Sequence, residues 1–89
     1  MTLIRQQEIL AEQCQNHNVR FNELPSVKSE IAKAIQIDFY AAIDNEANFE
    51  EMQRRHRTTG STFYDNAMRS GRRVWNNARH PVQTEHYNA

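Results

Sequence analysis

Only four residues of this 89-residue chain are glycine or proline: Pro25, Gly60, Gly71 and Pro81. Tight turns between short strands draw heavily on these residue types. A chain so poor in them is ill-suited to a many-stranded sheet and favours a few long helices. We therefore expect an all-α fold, a compact bundle of three to four helices. A single helical domain is expected over 1–80, with a frayed tail over 81–89.

The apolar share is 38%, and Leu, Ile, Val and Phe together number 17. That is near the lower limit for a self-sufficient core. The formal net charge is zero, so the charge repulsion that keeps hydrophilic chains unfolded is missing. A thin core of this kind is commonly completed against a second copy or a partner, and a homo-oligomer, most simply a dimer, is expected. Cys14 is the only cysteine. It excludes an intramolecular disulfide and suits a reducing compartment. No apolar run reaches membrane-spanning length and no signal peptide opens the chain, so the expectation is a cytoplasmic protein without membrane contact.

Periodicity places the helices. In the segment from Thr2 to His17, Leu3, Ile4, Leu10, Ala11 and Cys14 share a face, with Thr2 as cap and Asn16 to Asn18 as exit. Val19 and Phe21 are expected to plug the core from the loop. The second helix follows Ser26, a candidate cap. Its broad apolar face is Val27, Ile31, Ala34, Ile35, Phe39, Ala42 and Ile43, with Ile37 and Tyr40 opposite and Asp38 inside the stripe. A carboxylate there needs an arginine from another helix, a helix break, or a place at the stripe's wet edge. A short third helix is expected after a cap at Asp44 or Asn45, with Phe49 and Met52 as a narrow apolar edge and acids before arginines, as the helix dipole favours. Gly60 is expected to break the pattern at positive φ, and Ser61 or Thr62 to cap the last helix. In that helix Phe63, Tyr64, Ala67, Met68, Gly71, Val74, Trp75 and Ala78 fall within about 140° at helical periodicity. Gly71, mid-face, is suited to a close helix approach. His80-Pro81 ends the helix, because the residue before proline is driven from the α region.

The zero net charge conceals a division. Residues 1–52 carry four Lys/Arg against nine Asp/Glu, and residues 53–89 carry seven against two. Arg69, Arg72, Arg73 and Arg79 project from the outer face of the last helix with Asn76 and His80, and Arg54, Arg55 and Arg57 lie just before it. The guanidinium fork, permanently charged, matches phosphate oxygens in pairs. A nucleic-acid backbone takes such clusters without any reading of sequence. The helix–turn–helix layout around Gly60 resembles the DNA-binding unit of that name, with Thr62–Arg73 in the recognition position. It departs from that unit at Ser61, where an apolar residue is usual, and in lacking a well-formed first helix over 49–57. The competing explanations are that these arginines answer the acids of residues 8–51, within one molecule or between two, or that they are simply solvated.

The sequence reading is thus a non-enzymatic helical binding protein whose basic C-terminal helix contacts nucleic acid or a nucleoprotein complex. The alternative is a protein–protein module, an adaptor or inhibitor of a larger machine such as mobile elements encode. In that version Ile37 and Tyr40, with Glu50 and Glu51 on the acidic 44–51 surface, meet the partner. No cofactor is expected. Cys14 and His17, even with His80 and His86, lack zinc-finger spacing, so no metal is expected and Cys14 reads as a small core residue. Ser61, Tyr64, Asp65 and His56 fit no catalytic signature.

Overall fold

The computed structural model describes residues 1–53 and 60–81, with backbone alone at 60–63. Three helices, α1 (Leu3–Asn16), α2 (Ser29–Gln53) and α3 (Gly60–Arg79), form a bundle, with one 3-10 turn at Phe21–Ser26. Among the described residues there is no strand and no helix long and apolar enough to cross a membrane.

Local chemistry sets the ends of α1. Thr2 Oγ1 accepts from the Arg5 amide at 3.0 Å, satisfying one of the helix's orphan donors. At the other end Asn18 adopts φ 61°, and the amides of Asn18 and Val19 donate back to Gln15 and Cys14 carbonyls at 2.9 Å. This is a Schellman closure, with asparagine in the left-handed position more often held by glycine. It turns the chain so that Val19 drops into the core. Phe21, the other expected plug, stays 40% exposed.

The core joins Ile9, Leu10 and Cys14 of α1, Leu24 of the 3-10 turn, Ile35, Phe39, Ile43 and Ala47 of α2, and Ala67, Val74 and Trp75 of α3. Phe39 and Trp75 stack with ring centroids 6.4 Å apart. α2 and α3 run antiparallel, as the pairs Phe39–Trp75, Ile43–Gly71 and Asp44–Tyr64 require. They pack tightly at Gly71, where an added Cβ would lie 2.7 Å from Ile43 Cδ1. Alanine there gains about 1 kcal/mol of helix propensity and meets an overpacking cost of about 1–3 kcal/mol. Gly71→Ala is therefore expected to be neutral to destabilising alone, but stabilising in an Ile43→Val background where that methyl is gone. Denaturant midpoints of the four proteins measure this coupling.

Several expectations are corrected. Among the described residues no separate helix begins at Asp44 or Asn45: α2 continues unbroken through both to Gln53. Nothing there stops a helix, and Ile43 and Ala47 bury on the same face across the supposed boundary. Residues 49–53 are accordingly the end of a long helix. Gly60 begins α3 in helical conformation instead of breaking the chain at positive φ, so Ser61 and Thr62 lie inside the helix. Ser26 closes the 3-10 turn, and α2 begins at Ser29. In α1 the buried face is Gln6, Ile9, Leu10 and Cys14, while Leu3 and Ile4 are 54% and 69% exposed. Gln6 Nε2 donates to the Ala67 carbonyl at 2.9 Å, linking α1 to α3. That one buried polar residue shifts the true face away from the one read from apolar residues alone. Ile31, on α2, also proves exposed.

Candidate nucleic-acid interface

α3 is two-faced, as its periodicity requires. Ala67, Gly71, Val74 and Trp75 are buried, and Tyr64, Met68 and Ala78 are packed partly against the core. Arg69, Arg72, Arg73, Asn76, Asn77 and His80 are exposed. At 100° per residue, Arg69, Arg72, Arg73, Asn76 and His80 fall on one side of the helix, with Asp65 among them.

Arg79 does not belong to this surface. It is half-buried, and its Nη1 donates to the Leu24 carbonyl at 2.9 Å and the Pro25 carbonyl at 2.7 Å. The last carbonyls of a helical turn are short of backbone donors; Leu24 O accepts only a long 3.4 Å bond from the Val27 amide, and the cation at the end of α3 supplies donors to both Leu24 and Pro25. Charged hydrogen bonds of this kind are worth about 1.5–3 kcal/mol. Arg79→Met is expected to lower stability by roughly that amount, measured by thermal melting, while leaving any anion affinity of the α3 face unchanged. Arg54, Arg55 and Arg57 lie outside the described residues.

Six acids of the first half, Glu8, Glu12, Asp38, Asp44, Glu46 and Glu50, meet Arg5, His17, Tyr64 or the amino terminus, and none of them meets the exposed arginines of α3. Arg5 holds Glu46 through a two-pronged pair, Nε to Oε2 at 2.8 Å and Nη2 to Oε1 at 2.9 Å, and reaches Glu8 at 3.3 Å and Glu12 at 3.8 Å. This pairing raises the Arg5 guanidinium above its ordinary value and holds the Glu46 carboxyl below its own. A depressed carboxyl stabilises the fold above its unfolded pKa and loses that contribution as pH falls through the folded value. The Met1 ammonium lies 3.1 Å from Glu50. Tyr64 donates its hydroxyl proton to Asp44, which pushes the phenol's pKa up. Asp38 sits at the wet edge of the stripe, and its partner is His17 at 2.8 Å, not an arginine. Among the described residues, no ion pair joins Arg69, Arg72 or Arg73 to a carboxylate.

The residues expected to meet a protein partner divide differently. Ile37 points outward and is 58% exposed. Tyr40 does not: it is half-buried, packed on the core with its ring 5.5 Å from that of Phe39. Glu50 faces the amino terminus, and Glu51 is half-buried. Phe49 and Met52 are exposed beyond what the sequence indicated, at 60% and 69%. Cys14 is fully buried, and burial pushes its thiol pKa up, as suits an inert core residue. Among the described residues no three His, Cys, Asp or Glu side chains gather as metal ligands.

Sequence reasoning missed a groove beside the arginines. Leu3 and Gln7 of α1, Phe21 of the 3-10 turn, and Arg73, Val74, Asn77 and Ala78 of α3 enclose about 280 Å³. These residues come from three separated segments, and no periodicity could have joined them. The exposed Leu3 and the aromatic at the start of the 3-10 turn become a signal only once the helices are placed. Comparison with known proteins adds no relative: the chain matches no family model, no curated protein and no solved structure at a significant level.

Proposed function

We propose that the protein is a non-enzymatic nucleic-acid-binding module, and that the outer face of α3 engages the phosphate backbone through Arg69, Arg72 and Arg73. The observation that carries this reading is charge placement. These three guanidiniums are exposed and lack carboxylate partners among the described residues, while Arg5, the amino terminus, His17 and Tyr64 answer six of the acids of α1 and α2: Glu8, Glu12, Asp38, Asp44, Glu46 and Glu50. This weighs against the explanation that the arginines exist to neutralise those acids within one molecule. Guanidiniums held on one rigid helix face match phosphates at low ordering cost. Asp65, on the same side, favours a partner that is contacted from Arg69 onward.

The reading extends to a cytoplasmic protein acting on nucleic acid, alone or in a nucleoprotein complex. The protein-partner alternative keeps Ile37, an exposed apolar residue on the back of α2, with Phe49 and Met52 nearer that helix's end. It loses Tyr40 and most of the acidic surface to internal contacts. Self-association remains a proposal that rests on the thin core.

The test is fluorescence anisotropy with labelled single-stranded and duplex oligonucleotides at increasing salt. Three phosphate contacts predict that affinity falls by at least about 20-fold for single strands, and about 40-fold for duplex, between roughly 50 and 200 mM salt. Absence of binding at low salt would overturn the proposal.

A further inference from the structure

The groove beside the arginine face has the chemistry of a seat for one unpaired base. Phe21 and Leu3 leave large apolar surfaces in water, 40% and 54% exposed, at its walls, and Val74 forms an apolar floor. Gln7 and Asn77, both exposed, line it with amides that can donate and accept. No carboxylate lines it. Arg73 belongs both to this groove and to the phosphate-facing side of α3, so the two surfaces are continuous. At about 280 Å³ the groove is below the usual size of an enclosed small-molecule site.

A nucleobase is flat, with an apolar π face and a polar edge of donors and acceptors. It needs an aromatic or apolar wall for the face and side-chain amides for the edge. In a duplex the faces are stacked shut and the edges paired. A base can enter such a groove only from a single strand or after extrusion, which costs a few kcal/mol. We infer that the protein prefers single-stranded nucleic acid, with Arg73 on a phosphate, Phe21 stacked on the adjoining base, and Gln7 and Asn77 at that base's edge. This rests on the phosphate-binding reading above and adds strand selectivity to it.

The experiment compares a single-stranded oligonucleotide with the same sequence as duplex, using the full chain and variants at Phe21. Wild type is expected to bind the single strand more tightly. Phe21→Ala is expected to weaken single-strand binding by about 5- to 150-fold, the range of one lost base–aromatic stack, and to leave duplex affinity unchanged. Phe21→Tyr should retain the affinity, whereas Phe21→Leu, apolar but without a π face, should not. If Phe21→Ala fails to fold, as judged by the fluorescence of Trp75, the tyrosine and leucine variants decide the matter between them. Unchanged single-strand affinity in Phe21→Ala, equal losses for both forms, or full rescue by leucine would each overturn the inference. A groove that takes an apolar side chain of a protein would give the first of these outcomes. Arg72→Glu with Arg73→Glu separates the two proposals. If it abolishes binding while Phe21 variants do nothing, the phosphate face stands and the base seat falls. If wild type binds neither form, both fall.

Discussion

Phe39→Ala is expected to cost about 3–5 kcal/mol, the range for deleting a buried aromatic ring. Phe39 is fully buried at the centre of α2, stacked on Trp75 of α3 and flanked by Tyr40. Its removal takes away the surface on which α3 docks, and the neighbouring backbone, held in continuous helix, cannot close the gap. A domain of this length has a total stability of roughly 5–13 kcal/mol, and a thin core places it toward the low end. The melting temperature should fall by about 12–40 °C, since 1 kcal/mol moves it by roughly 4–8 °C at this size. Trp75 is the sole tryptophan and is 5% exposed, so its emission, shifting to the red as water reaches the indole, follows the transition directly. Ile37→Ala on the outer side of the same helix is the control and should stay within about 0.5 kcal/mol of wild type. A Phe39→Ala melt equal to that of Ile37→Ala would refute the packing described for α2 and α3.

Arg72→Glu combined with Arg73→Glu should abolish nucleic-acid binding while leaving the melt nearly unchanged. Both side chains are exposed and make no ion pair among the described residues, so the fold loses nothing measurable when they go. On the binding side the change is large. Two attractive charges become repulsive ones opposite a line of phosphates, in a face where Asp65 is already acidic. Charge reversal affects single strand and duplex alike, because phosphates are common to both. Arg79→Glu should do the reverse, lowering stability through the carbonyls of Leu24 and Pro25 without a comparable direct loss of affinity. The contrast between these arginines, close in sequence and different in environment, separates a phosphate-binding surface from a general attraction to positive charge.

How far the sequence revealed this arrangement depends on the length of each pattern. α3 was legible because its apolar and charged residues alternate at helical period over five turns, and Val74, Trp75, Arg69, Arg72 and Arg73 lie where that period puts them. Arg79 shows the limit. Its phase is only slightly off the basic face, and the carbonyls it serves lie 54 and 55 residues away in the chain. The continuity of α2 was hidden by Asp44-Asn45, a pair that caps helices when a chain enters there and is merely tolerated when a helix runs through. What decides between the two is the tertiary burial of Ile43 and Ala47, which local signals do not contain. α1 was misphased at Leu3 and Ile4 because Gln6 occupies a core position, and its reason for doing so is a carbonyl on α3. Asp38 fits one of the three alternatives its phase allows, the wet edge, but nothing local marks His17, 21 residues away, as its partner. The groove at Phe21 was not legible, since it exists only where α1, the 3-10 turn and α3 meet.

In the proposed complex three guanidiniums on one face of α3 neutralise phosphates. The most direct measurement is the slope of log affinity against log salt for a single-stranded oligonucleotide, in wild type and in a variant with Arg69, Arg72 and Arg73 all replaced by glutamine. Each neutralised phosphate releases condensed counterions and contributes about 0.7 to that slope on a single strand. The variant's line is expected to be shallower by about 2, with affinity reduced most at low salt. Parallel lines for the two proteins, whatever their absolute affinities, would contradict it.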